Sequence, residues 1–71
     1  MILKYLTKFN DKTDRWNYVD GIKEAGVFFD DEHGCTMIHI TSQNGDEYGL
    51  ALHKTAYLLN EAGKTIDRLT L

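Results

Sequence analysis

Proline is absent from this sequence of 71 residues, cysteine occurs once, and long apolar runs are missing. Cys35 has no second cysteine to pair with, so an internal disulfide is excluded. The chain also begins without a basic segment leading into an apolar core, and we therefore expect a reducing, cytoplasmic location. The longest apolar stretches are pairs and triplets such as Val27-Phe28-Phe29, far below the ~20 residues that cross a bilayer, so no membrane association is expected.

Positive charge is scarce as well. Eight basic side chains stand against eleven acidic ones, which gives a formal net charge of −3. A chain with this balance has no overall field that attracts phosphate backbones. The basic residues are also dispersed along the sequence, so nucleic acid is an unfavoured partner.

The composition that remains is that of a folded domain, with 42% hydrophobic and 27% charged residues. The length fits a single small β domain over residues 1–71 and leaves no room for a second core. A core this small contributes only ~3 to 5 kcal/mol net, and the chain has no disulfide to add to it. We therefore expect a homo-oligomer, most simply a homodimer.

Turn signals divide the chain into strands. Asp20-Gly21 and Asn44-Gly45 are two-residue hairpin signals, because both central positions of a type I′ turn need positive φ. Polar stretches at 10–13 and 30–34 read as longer loops. Four turns predict five strands, at about 2–9, 14–19, 22–29, 35–42 and 47–54. The predicted fold is mainly β, a small antiparallel five-stranded meander curling toward a barrel.

The loop lengths also predict a register. They set Met37 opposite Leu52, Val27 opposite Met37, and Trp16 opposite Ala25, and one sheet face then collects most of the apolar side chains. That face consists of Leu3, Tyr5, Phe9, Trp16, Tyr18, Ala25, Val27, Phe29, Met37, Leu50 and Leu52. The opposite face is partly apolar too, which again favours a second subunit as a cover. The same register places Lys8 opposite Arg15, and this like-charge pair hints that the first loop is slipped.

The C-terminal segment has two interpretations. We favour a hairpin with strands at 56–60 and 64–71, because the last seven residues alternate well and need a neighbour. The alternative is α+β, with one short helix at about 55–62 that begins at Thr55 and ends before Gly63.

The predicted sheet brings together no metal-binding or catalytic site. Cys35 and His39 share a face but lie ~13 Å apart, too far to bind one ion, and His53 has the parity of the other face. No nucleophile has a base beside it, and no phosphate-binding loop is present. We expect no metal, no cofactor and no enzymatic activity.

What remains is binding by surface contact. The aromatic strand with Arg15, Trp16 and Tyr18 lies near a predicted edge, and the turn with Asp30, Asp31 and Glu32 offers a charged surface for a basic partner. These six residues are the predicted partner-binding sites. The function that we predict is a small protein-binding module, an adaptor or an inhibitor. Small adaptors and inhibitors of this size include virus- and mobile-element-encoded proteins, and this chain fits that class. The alternative is a small-ligand or nucleotide-binding protein with its site at a homo-oligomer interface.

Overall fold

The chain folds into antiparallel strands throughout the part that the structure describes. A computed structural model describes residues 1–70. Within that range the strands are β1 Ile2–Lys8, β2 Asp14–Val19, β3 Ile22–Asp30, β4 Cys35–Ser42, β5 Glu47–Ala51, β6 Ala56–Leu59 and β7 Thr65–Leu69. Residues 1–70 contain no helix, and hence none that could span a membrane.

The strands form two sheets. Sheet A has four strands in the order β2-β1-β6-β7, and sheet B has three in the order β3-β4-β5. All pairings are antiparallel. The chain therefore enters sheet A with the β1–β2 hairpin, builds sheet B as a meander, and returns to sheet A with the β6–β7 hairpin.

One layer of aliphatic side chains between the sheets forms the core. Sheet A contributes Leu3 from β1, Ala56 and Leu58 from β6, and Leu69 from β7, and sheet B contributes Ile22, Ile38 and Ile40. Side chains alternate along a strand, so the residues between these positions point away from the core. The outer face of sheet A is partly buried all the same, because Leu6 shares a face with its partner Trp16 and is only 9% exposed.

A corner at Gly21 carries the chain from sheet A to sheet B. Met1 and Ile22 exchange two backbone hydrogen bonds of 2.9 and 2.8 Å, so the start of β3 runs beside the start of β1 before it joins sheet B. Gly21 has a φ of 73°, a conformation that is cheap for glycine alone. The predicted hairpin at Asp20-Gly21 is therefore wrong, because β2 and β3 lie in different sheets.

The prediction of a mainly β fold is confirmed, and so are the positions of the five predicted strands, except that β5 ends at Ala51. The single five-stranded meander and the closure toward a barrel are wrong, because the chain forms seven strands in two sheets with no closed barrel. The C-terminal hairpin is confirmed for β6 and β7, and the predicted end of its last strand at Leu71 lies outside the described residues. The helix at 55–62 is wrong because β6 occupies Ala56–Leu59.

The predicted pairing of Trp16 with Ala25 is wrong, because β2 and β3 lie in different sheets. The other predicted registers are each off by one residue. Met37 lies opposite Ala51 and not Leu52, and its partner on β3 is Phe28 and not Val27. In the first hairpin Lys8 faces Asp14, which replaces the like-charge pair with Arg15. A one-residue slip moves every side chain of a strand to the other face. As a result Trp16, Tyr18 and Met37 leave the predicted apolar face and point outward.

Candidate functional site

The outer face of sheet A carries a row of alternating aromatic and basic side chains. Tyr18 of β2 pairs with Lys4 of β1, Lys4 pairs with Tyr57 of β6, and Tyr57 pairs with Arg68 of β7. Trp16 lies two residues from Tyr18 and therefore on the same face. We call these five residues, Lys4, Trp16, Tyr18, Tyr57 and Arg68, the aromatic–basic face.

Two aromatic rings hold the Lys4 ammonium in place. Its Nζ lies 4.5 Å from the centroid of the Trp16 ring and 5.9 Å from that of Tyr57. The two ring centroids are 6.0 Å apart, and the planes are tilted by 43°. A cation over an aromatic face is attracted by the ring quadrupole, by ~0.5 to 1 kcal/mol at exposed sites. The face therefore presents a positive charge whose position is set before any partner arrives.

Much of this surface is open to solvent. Trp16 is 39% exposed and Tyr18 is 61% exposed, although both are large apolar side chains. Arg68 is also exposed and donates a hydrogen bond from Nε to Thr55 Oγ1 at 3.4 Å. Exposed tryptophan and tyrosine beside fixed cations form a surface suited to contact with another molecule.

Asp14 is the carboxylate at the end of this face nearest Lys8, and it is already engaged. Its Oδ1 contacts His53 Nε2 at 2.9 Å, and its Oδ2 accepts a short hydrogen bond from Lys54 Nζ. These hydrogen bonds, from Lys54 first and His53 second, lower the pKa of the Asp14 carboxyl below its ordinary value of 3.8. The Asp14 carboxylate therefore offsets the positive charge of Lys54, and both of its oxygens are already engaged within the chain.

The contacts of Asp14 with His53 and Lys54 also hold in place the segment between β5 and β6, which returns the chain to sheet A. The Thr55 N–H donates to the His53 carbonyl at 2.8 Å, and Lys54 between them has a φ of 66°. This is a γ-turn with positive φ, a rare and strained conformation for a residue with a side chain. The contacts with Asp14 tie this turn to the start of β2, the strand that carries Trp16.

Charge is divided between the two sheets. Residues 20–53, which include sheet B, carry seven acidic and one basic side chain, a formal charge of −6. Residues 1–19 and 54–71, which include sheet A, carry seven basic and four acidic side chains, a formal charge of +3. The aromatic–basic face therefore belongs to the positive half of a negatively charged molecule.

The predicted acidic site is a capped turn between β3 and β4. Asp30 Oδ1 accepts the backbone N–H groups of Glu32 and His33 at 3.0 and 3.3 Å, and Oδ2 contacts His33 Nδ1 at 2.7 Å. The His33 side chain is the main cause of a lowered pKa at the Asp30 carboxyl. Asp31 and Glu32 are exposed. Asp30 thus organises the turn, while its two acidic neighbours are the groups that face solvent.

Three ligand atoms of this turn, from Asp30, Glu32 and His33, lie within 4.8 Å of one another, the spacing that a metal ion requires. Both Asp30 oxygens already accept hydrogen bonds within the turn, and Glu32 and His33 are exposed. The arrangement is therefore accounted for as turn stabilisation.

The predicted partner-binding residues do not form one surface. Trp16 and Tyr18 share the outer face of sheet A, but Arg15 has the opposite parity and stacks on Phe9, with its guanidinium carbon 4.1 Å from the ring centroid. The acidic turn belongs to sheet B. Sequence reasoning missed Lys4 because the predicted register of the β1–β2 hairpin was off by one residue. It missed Tyr57 and Arg68 because their place on this face depends on the pairing of β1 with β6, which no turn signal reveals.

Cys35 and His39 belong to β4 of sheet B and lie apart from the aromatic–basic face. Cys35 Sγ lies 3.7 Å from Met37 Sδ, and His39 Nε2 lies 3.5 Å from Glu47 Oε1 on an exposed part of sheet B. An open cleft of about 300 Å³ lies at the corner between the sheets, lined by Asp20, Gly21, Ser42, Gln43 and Asn44. Its walls are residues of turns and of the end of β4, and none of them is aromatic.

Comparison of this chain with protein-family models, with curated proteins and with solved structures found no match.

Proposed function

We propose that this chain is a non-enzymatic protein-binding module of the cytoplasm, an adaptor or an inhibitor, that holds its partner on the aromatic–basic face. The observation that carries the proposal is the Lys4 ammonium fixed over Trp16 and beside Tyr57 on a partly exposed sheet face, where Trp16 and Tyr18 are open to solvent. Tryptophan, tyrosine and arginine dominate the binding energy of protein interfaces, and this face combines all three.

The chemistry of the face defines the partner. Trp16 and Tyr18 offer apolar area with few rotatable bonds, so little conformational entropy is lost when they are covered. Lys4 and Arg68 require carboxylates opposite them, because a cation buried without a partner is costly. The expected partner is a protein surface with an apolar centre and acidic groups beside it.

Catalysis is not part of the proposal. Cys35 lies beside a methionine sulfur, and the His53–Asp14 pair is occupied with Lys54 in stabilising a turn. Nucleophilic catalysis needs a nucleophile and a base within hydrogen-bond reach of one another. Among the described contacts, Cys35 has no base beside it, and His53 has no nucleophile beside it.

The test starts with a pull-down from the native cell type that identifies the partner, followed by calorimetry with the purified pair. Trp16→Ala should weaken binding by about 30-fold or more, the ~2 kcal/mol typical of a hot-spot residue. Phe28→Ala is the matched control, since Phe28 is a similarly exposed aromatic residue on sheet B. Unchanged affinity for both Trp16→Ala and Lys4→Glu would refute the proposed surface.

A second candidate function is the binding of a nucleotide or small ligand at a homo-oligomer interface. The observation that favours it is again the Lys4 cation between two aromatic rings, which suits a base and a phosphate. Titration of ATP or of a short oligonucleotide would then change the fluorescence of Trp16, the single tryptophan. We expect no response, and saturable, salt-dependent quenching would replace the first proposal with this one.

A further inference from the structure

The free edge of β2 presents unpaired backbone groups. β2 pairs only with β1, at the end of sheet A. The hydrogen bond from Phe9 N to Thr13 O sets the phase of this ladder, so odd-numbered β2 residues bond to β1. The N–H and C=O groups of Asp14, Trp16 and Tyr18 therefore point away from the sheet. Among residues 1–70, no backbone hydrogen bond outside the β1 ladder engages these groups.

Each of the other sheet edges contains a register shift or a glycine, and β2 contains neither. The pairing of β7 contains a register shift next to Leu58. That of β3 contains one next to Ile22, and the continuous run from Glu24 to Asp30 that follows includes Gly26. β5 is only five residues long and has Gly49 at its centre. Bulges, short strands and glycine are devices by which proteins discourage edge pairing. β2 has continuous register from Asp14 to Val19 and contains neither glycine nor proline.

We propose that two copies of this chain pair antiparallel through β2, around a twofold axis at Trp16, and so join their A sheets into one sheet of eight strands. An isologous contact closes on itself and removes the exposed edge from both copies. Three residue pairs, each exchanging two backbone hydrogen bonds, would connect the copies.

Charge selects this register. With Trp16 on the axis, Trp16 faces Trp16 of the second copy, and Asp14 faces Tyr18 of the second copy. With the axis at residue 15, Arg15 would face Arg15 of the second copy. With the axis at residue 17, Asp14 would face Asp20 of the second copy. Like charges directly opposite destabilise a sheet. The axis at Trp16 is the one of these three registers that avoids such pairs.

The dimer would also enlarge the candidate site. The two copies would lie in one sheet with the same face outward, so Trp16 and Tyr18 of both would meet at the centre of a continuous aromatic–basic face. Pairing uses backbone groups in the plane of the sheet, while the aromatic rings stand on its face. The inference therefore does not depend on the class of molecule that the face binds.

Site-specific cross-linking tests the register. In a Cys35→Ser background, Trp16→Cys would place two thiols at a directly opposed pair with Cα atoms ~5.5 Å apart, within the range for a disulfide. Tyr18→Cys is the control. Position 18 would face position 14 of the second copy, so the two introduced cysteines would lie four residues apart, ~13 Å along the strand. Under mild oxidation we expect a covalent dimer from the first variant and little from the second. Equal cross-linking of both, or preferential cross-linking of Tyr18→Cys, would overturn the proposed register.

Light scattering after size exclusion tests the dimer itself. The unmodified chain should elute with about twice its mass of 8.2 kDa. Trp16→Pro removes an N–H from the free edge and should yield a folded monomer, as judged by circular dichroism. Arg68→Pro, at the corresponding free position of β7, should remain a dimer. A wild-type monomer at millimolar concentration would overturn the inference and leave the proposed partner surface to be tested separately.

Discussion

Ile38 lies at the centre of the layer between the sheets, and its truncation measures how much stability that layer provides. The side chain is 0% exposed, and its cross-strand neighbours Val27 and Leu50 pack against the same core. Ile38→Val should cost about 0.5 to 1.5 kcal/mol, and Ile38→Ala should cost about 2 to 5 kcal/mol. A chain of this size has only about 3 to 5 kcal/mol of net stability, so the alanine variant should be largely unfolded.

The adjacent position gives the internal comparison. Met37 points to the outer face of sheet B and is only half-buried, so Met37→Ala should cost about 1 kcal/mol. Urea unfolding followed by circular dichroism supplies the free energies, and each 1 kcal/mol should lower the melting temperature by about 4 to 8 °C. If Met37→Ala proved as costly as Ile38→Ala, the register of β4 and the assignment of its core face would be wrong.

Three further predictions concern sheet A and the return to it. Lys54→Gly should leave the free energy of unfolding within about 1 kcal/mol, because relief of the positive φ offsets the lost ion pair, whereas Lys54→Ala should be less stable in the same urea titration. The pKa of Asp14 is lowered on folding, so its contribution is complete well above pH 3.8 and is lost as pH falls through the folded-state pKa. The difference in free energy of unfolding between wild type and Asp14→Asn should accordingly shrink in acid. A difference that grew in acid would mean that folding does not lower the pKa of Asp14. Lys4→Leu should cost about 0.5 to 1 kcal/mol through loss of the contact with Trp16, and no change on urea unfolding would show that the contact is not formed.

The sequence predicted where the strands lie far better than it predicted which strands pair. Turn residues mark strand ends locally, whereas pairing depends on loop length to the residue. The loop at Asn44-Gly45 has three residues, because Ser42 and Asp46 still form a backbone hydrogen bond, and Gly45 has a φ of 93°. That one additional residue moves Met37 outward and Ile38 into the core.

Hydrophobicity could not correct this error, because both faces of β4 carry apolar residues. Register is strongly specified only where one face is clearly polar. The useful signal was electrostatic. Lys8 opposite Arg15 marked the first hairpin as unfavourable, and the observed register puts Asp14 in that place. The same slip turns Trp16 and Tyr18 from predicted core residues into exposed ones.

The division of charge between the sheets shows why the net charge of the whole chain is a poor guide to the charge of the aromatic–basic face. Packed sheets lie about 10 Å apart, which is close to the Debye length at physiological salt. A molecule approaching the aromatic–basic face is therefore influenced mainly by Lys4, Arg68 and their neighbours, and much less by the acidic residues of sheet B. Binding of an acidic partner should consequently weaken as salt is raised, although the chain is itself negative overall. Association rates measured between 50 and 500 mM salt would show this, and a rate that rose with salt would mean that the acidic half faces the partner instead.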